Sequence, residues 1–256
     1  MRSKHWLWIS ALFVYAFLYL PLAIVVAYSF NDSKLNAEWV GFTFRWYEVL
    51  LNNEQMLIAA RNSLLIGFFS SVCATVLGTL AGVAMHKFKL RLLPILVLTP
   101  IAIPEILMGV ALLIFFVMLN MTLGLLSITL AHIAFCIGFV AIVVRSRLQG
   151  MDESLVEAAR DLGATPIQAF RLVTMPLIMP GIIAGALMAF TLSIDDFVIT
   201  FFTAGAGAST LPLQIYSMIR IAVTPEVNAI STLLMLLTLA LIVIASKIAP
   251  SAIHAK

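Results

Sequence analysis

"EAARDLGATPIQAFRLVTMP", Glu157 to Pro176, is a polar helical stretch in a chain that is otherwise mostly apolar. Two helix starts are written around it. Ser154-Leu-Val-Glu157 has the form of a capping box, a hydroxyl at the N-cap and a carboxylate three residues on. Thr165-Pro-Ile-Gln168 is a second, with Pro166 at the favoured first helical position. Gly163 between them suits a C-terminal cap. Leu155, Ala158, Ala159 and Leu162 recur at helical spacing and make one apolar face. The pattern predicts helix, tight turn, helix, the second running toward Pro176. One amphipathic helix of about three turns cannot bury its own face. That face needs the ends of this chain's own membrane helices or a groove on another chain. Capping alone accounts for Glu157, and helix propensity alone for the alanines, equally well.

Composition sets the surroundings. Of 256 residues, 62% are hydrophobic and 11% charged, with a mean hydropathy of +1.10. Soluble domains run at roughly 45–50% apolar and about 25% charged, so this is an integral membrane protein. The net charge of +3 is too small to suggest a nucleic-acid partner. Cys73 and Cys136 sit in apolar runs and read as small core residues, without a disulfide framework.

A bilayer core takes about 20 apolar residues in a helix. Six stretches meet this: about 7–29, 63–85, 92–119, 123–144, 177–202 and 227–248. Asn120–Gly124 divides the long run between Leu92 and Val144 into two. The first stretch exceeds the ~7–15 residues of a signal-peptide core and reads as a retained anchor. Lys and Arg set the orientation. With the N-terminus inside, the inner segments hold Arg2, Lys4, Lys87, Lys89, Arg91, Arg145, Arg147, Arg160, Arg171, Lys247 and Lys256. The outer segments hold only Lys34, Arg45, Arg61 and Arg220. Both termini are therefore expected in the cytoplasm, with 145–176 the only sizeable inner loop.

Glu157-Ala158-Ala159, then Gly163, Val173 and Met175-Pro176, resembles the EAA motif of ABC importer permeases, EAA-x3-G-x9-I-x-L-P, with Val173 and Met175 as volume-conserving replacements. Further stretches resemble the polyamine branch of that family, nearest to the second permease subunit of spermidine/putrescine importers: Trp46–Leu51, Asn62–Leu64, Thr191–Val198, Leu211–Arg220 and Pro225–Thr232. The resemblance covers nearly the whole chain. It implies an all-α membrane protein of the type I ABC importer permease fold, one transmembrane domain over 1–256, in the bacterial inner membrane. It implies that Glu157, Ala158, Ala159, Gly163 and Pro176 belong to a coupling loop that docks on an ATP-hydrolysing subunit. The other implied partners are a second permease and a periplasmic or lipid-anchored substrate-binding protein. No G-x4-GK[ST] sequence occurs, so ATP and Mg²⁺ are expected on a pair of separate ATPase chains and no cofactor on this one.

Three acids fall within expected spans. Asp195 and Asp196 interrupt the fifth, and a charged residue at a helix centre costs ~2.5–3.5 kcal/mol. Gly181 to Asp195 is fourteen steps, or about 21 Å in a helix, which sets the pair in the outer half of a ~30 Å core. Adjacent helical positions point about 100° apart, so one aspartate can line a cavity while the other caps or pairs. Asp196 is favoured for the cavity. The competing reading makes Asp195 a helix cap with both acids solvated. Glu105 follows Pro104 in a segment disturbed by Pro94 and Pro100, and broken backbone at membrane depth is tolerated where it lines a cavity. An acid satisfied by freed backbone amides explains it as well. His132, alone in the fourth span, reads as a hydrogen-bonded packing residue, with no metal-ligand spacing around it. The expected function is ATP-driven import of polyamines by alternating access. A self-contained secondary transporter or channel is the alternative. An intramembrane aspartyl hydrolase would need carboxylates converging from different helices; the adjacent aspartates do not supply that, only Glu105 could complete a pair, and no supporting motif appears.

Overall fold

The computed structural model describes residues 3–33, 38–88 and 91–248; Arg2, Lys34, Lys89 and Lys256, used above for orientation, lie outside them. The helices are α1 (Ser3–Tyr28), α2 (Arg45–Leu51), α3 (Glu54–Lys87), α4 (Leu92–Ala102), α5 (Glu105–Met118), α6 (Leu125–Gln149), α7 (Ser154–Asp161), α8 (Pro166–Ala169), α9 (Met175–Asp195), α10 (Val198–Thr203), α11 (Leu211–Ile219) and α12 (Pro225–Ile248). A π-turn, Phe170–Thr174, joins α8 to α9. Among the described residues, extended backbone pairs only at one isolated bridge, Asn31 with Phe42.

Among the described residues, five helices are long and apolar enough to cross a membrane: Trp6–Tyr28, Glu54–Lys87, Leu125–Gln149, Pro166–Asp195 and Pro225–Ile244. A sixth crossing exists if α4 and α5, bent by 108°, count as one. The 92–119 span, expected to be disturbed by its prolines, is thus two helices. The break falls at Ile103-Pro104. Proline disfavours the helical region for the residue before it, and Ile103 is extended at φ −79°, ψ 134°. The expected 177–202 span is also divided, between Asp195 and Val198. The second span begins nearer the chain start than expected, at Glu54.

Contacts group the chain into two units. The first joins Met1–Leu57 with Gln214–Thr238. In it, none of the apolar window of α1 is buried. The segment after α1 folds on Asn31, whose carbonyl accepts from Trp46 Nε1 at 2.8 Å and whose side-chain Oδ1 accepts from Val40 N at 2.9 Å. Tyr47 and Ser29 share a hydroxyl bond of 2.8 Å, so Trp46 and Tyr47 both fasten this segment to the residues at the end of α1.

The second unit joins Ile58–Leu213 with Leu239–Lys256 and is built around α6. One face of α6, including Ala131, Phe135, Cys136, Val140 and Val144, is buried against α9, α4 and α10. Helices pack closely in lipid where small residues let backbones approach. Gly78 and Gly82 of α3 serve this: a Cβ on Gly78 would meet Val140 Cβ at 2.6 Å, and one on Gly82 the Ala141 carbonyl at 2.9 Å.

Candidate functional site: a polar hairpin joined to a broken-helix acid cluster

The hairpin forms where the sequence places it, with one change at its start. Ser154 is not the N-cap. Asp152 Oδ1 accepts from Ser154 N at 3.0 Å, so the helix begins at Ser154 and Glu153 is the flanking residue, with no side-chain cap. A short carboxylate that bonds the backbone two residues on wins over the serine hydroxyl. Hydrogen bonds from the Ser154 side chain and then its backbone hold the Asp152 carboxyl below its ordinary value of 3.8. Glu157 therefore does not hold its own helix start. It is exposed and lines a cavity of about 380 Å³ together with His86, Glu153 and Arg160.

The turn and second start follow the sequence closely. Gly163 sits at φ +88°, which glycine adopts without a Cβ penalty. Gly163 N donates to Arg160 O at 2.9 Å and Ala164 N to Ala159 O at 3.0 Å, the paired bonds of a Schellman motif. Thr165 and Gln168 form the reciprocal box, Gln168 N to Thr165 Oγ1 at 3.3 Å and Thr165 N to Gln168 Oε1 at 2.8 Å. Val156 and Ala159 are half-buried and Ala169 is buried, whereas Leu155 and Ala158 are exposed. Leu162 is 91% and Ile167 78% exposed. The apolar face expected to need a partner is open.

The second limb does not end at Pro176. It continues as one helical run from Pro166 to Asp195, 30 residues, or about 45 Å. Met175 N bonds Phe170 O, five residues back. A proline lacks the N–H and its ring crowds the carbonyl four residues before it. The widened turn just before Pro176 accommodates that ring, so hairpin and span share one rod.

The rod ends in the acids. Asp195 is the last residue of α9 and is exposed. Asp196 has an extended backbone, φ −65°, ψ 121°, and turns back to cap α10. Its Oδ1 accepts from Ile199 N at 3.3 Å; its Oδ2 accepts from Thr200 N at 2.8 Å and Thr200 Oγ1 at 2.9 Å. His132 Nε2 lies 3.1 Å from the same Oδ2, with side chains 2% and 5% exposed. The preference for Asp196 as the open carboxylate is thus reversed in the geometry: Asp196 is the enclosed cap and Asp195 the open acid. His132 is the hydrogen-bonded packing residue expected, also meeting Ser193 at 2.7 Å. An aspartate just ahead of a helix start is a cap signal readable in the sequence. The His132 contact, across 64 residues, is not.

Glu105, first residue of α5, is exposed. α5 packs along α10, with Phe202 against Gly109, so the two helix breaks stand side by side. Asp195 lies within electrostatic reach of both Glu105 and Asp196. An acid at a helix C-terminus adds to the negative end of the helix dipole. The α9 terminus and Asp195 set negative charge at this break, while Glu105 lies in the first turn of α5, where the positive helix end offsets it. Among the described residues no three His, Cys, Asp or Glu side chains gather as metal ligands.

An apolar helical body carries an open hairpin on a long helical run that ends in carboxylates, the architecture of a multi-pass membrane protein. The chain belongs to the family of binding-protein-dependent transport system inner membrane components, whose model matches residues 74–254. It is 41% identical over 239 residues to the spermidine/putrescine transport system permease protein PotC of Escherichia coli K12, covering 92% of this chain and 90% of that one. It is 42% identical over 240 residues to the putrescine transport system permease protein PotI of the same strain, covering 90% and 85%. The fold is shared with the inward-facing MetNI methionine ABC transporter, at TM-score 0.67, 22% identity and coverage of 82% and 99%. A bacterial alginate ABC transporter matches at TM-score 0.70, 16% identity and coverage of 96% and 97%. The chain is an inner-membrane transport permease rather than an enzyme, and the EAA stretch is the family's own motif.

Proposed function

We propose that this permease carries polyamines, spermidine or putrescine, inward by alternating access. It works with a second permease, a pair of ATP-binding chains that hold ATP and Mg²⁺, and a substrate-binding protein outside the membrane. The observation that carries the reading is the unbroken run from the Thr165 box to Asp195. Glu157, Ala158, Ala159, Gly163 and Pro176 form the coupling element, and the open faces of Leu162 and Ile167 give an ATPase groove its grip. Closure of the ATPase pair displaces the hairpin, and the rod carries that displacement to the acids as a rigid body. Asp195 and Glu105 meet the cationic substrate, with Asp196 shaping the break between them. Six crossings with both termini in the cytoplasm place the hairpin on the ATPase side.

The test is uptake of labelled spermidine and putrescine by the reconstituted four-component complex. Asp195→Asn and Glu105→Gln are expected to cut uptake about tenfold while ATP hydrolysis persists. Unchanged uptake by both variants removes the cation path. Transport by this chain alone, without ATP, replaces the proposal with a self-contained secondary transporter.

A further inference from the structure

Four side chains form a buried polar chain beside the acids. Ser70 Oγ on α3 donates to Ser193 Oγ on α9 at 2.9 Å. Ser193 Oγ meets His132 Nδ1 on α6 at 2.7 Å. His132 Nε2 meets Asp196 Oδ2 at 3.1 Å and Thr200 Oγ1 at 3.0 Å. Ser70, Ser193, His132 and Thr200 are all buried. Buried polar groups must be paired, and a fully satisfied network fixes one arrangement. The donors order themselves consistently when Ser193 gives its proton to Nδ1 and Nε2–H points at Asp196. Asp196 then accepts from the ring, the Thr200 hydroxyl and two backbone amides.

A carboxylate so occupied has little left to offer a substrate. Its position, however, sets that of its neighbour. The peptide between Asp195 and Asp196 is planar, so pinning Asp196 to α6 and α10 fixes where α9 ends and how Asp195 leaves it. We infer that His132 is a positioning residue for transport: by holding Asp196 at the helix break it aims Asp195, which it does not touch through any of these bonds, toward the substrate. This rests on the proposed role of Asp195 as the open carboxylate.

The experiment measures uptake KM and kcat in the reconstituted complex, with basal ATP hydrolysis as the assembly check. His132→Leu keeps bulk and loses both ring nitrogens; it is expected to raise the polyamine KM at least tenfold with basal hydrolysis within twofold of wild type. His132→Gln can still donate to Asp196 and is expected to stay within threefold of the wild-type KM. A wild-type KM for His132→Leu overturns the inference. So does equal impairment of the leucine and glutamine variants, which marks a packing role. If His132→Leu does not assemble, Ser193→Ala carries the test. It frees Nδ1 and is expected to raise KM at least fivefold, and a KM within threefold of wild type there is also fatal. Asp195→Asn separates the two claims. Unchanged uptake by that variant refutes the substrate role itself, whereas reduced uptake beside a wild-type His132→Leu refutes only the positioning.

Discussion

The amide of Ala164 meets the carbonyl of Ala159 at 3.0 Å, a bond that closes only because Gly163 between them stands at φ +88°. A Cβ on Gly163 would meet nothing within 4 Å, so only backbone strain opposes substitution there. Gly163→Ala is expected to cost about 1 kcal/mol in the turn. Gly163→Asn, whose side chain tolerates this region, should cost less. The coupling ratio, uptake per ATP hydrolysed, should rank glycine above asparagine above alanine, with Gly163→Pro lowest. Equal ratios in all four would separate the turn from coupling.

Leu162 projects from the same turn with almost no cover. Leu162→Glu should leave the thermal stability of the detergent-purified chain unchanged, since exposed substitutions usually fall within about 0.5 kcal/mol. Co-purification of the ATPase should fall at least tenfold. Full retention of the ATPase would put the docking surface elsewhere.

The two aspartates should part company under the same substitution. Asp196→Asn turns an amide toward buried donors, at a cost of about 1–3 kcal/mol, visible as a lowered melting temperature. Asp195→Asn should melt like wild type, because the side chain is exposed. A matching loss of stability in Asp195→Asn would show that it too is a structural acid.

Val140 faces a position that admits no side chain. Gly78→Val should destabilise by about 1–3 kcal/mol through overpacking. Adding Val140→Ala should not recover that loss, because the atoms nearest the new Cβ, Val140 Cβ at 2.6 Å and the Ile137 carbonyl at 2.8 Å, both remain; the same melting curves read it.

Asp152 supplies a pH expectation. Its carboxyl lies below the ordinary 3.8 because Ser154 bonds it. The stabilisation it gives the hairpin is thus complete above about that value and is lost as pH falls through the lowered one. Coupling should show no contribution from this group between about pH 5 and 8. Asp152→Ala should speed amide exchange at Ser154 across that whole range.

What the sequence disclosed follows how local each cause is. The Thr165 box and the Gly163 turn depend on neighbours within a few residues, and each stands where its pattern put it. Ser154 was misplaced by two residues' worth of competition, because serine and aspartate both offer a cap and Asp152 reaches the amide. Three prolines announced a disturbed third span, yet which one breaks it depends on packing. Pro100 stays inside α4, while Pro104 ends it. The exchange of roles between Asp195 and Asp196 turns on His132, brought in from another helix by the fold.

The π-turn at Phe170–Thr174 has one more consequence. It absorbs an extra residue, and one residue is worth about 100° of rotation. A helical wheel drawn straight through from Pro166 to Asp195 therefore reads the far end out of phase with the near end. The turn acts as a clocking joint. It sets the angular offset between the open face of the hairpin and the direction in which Asp195 leaves the helix, so on the proposed mechanism a push at one end arrives at the other with a fixed bearing.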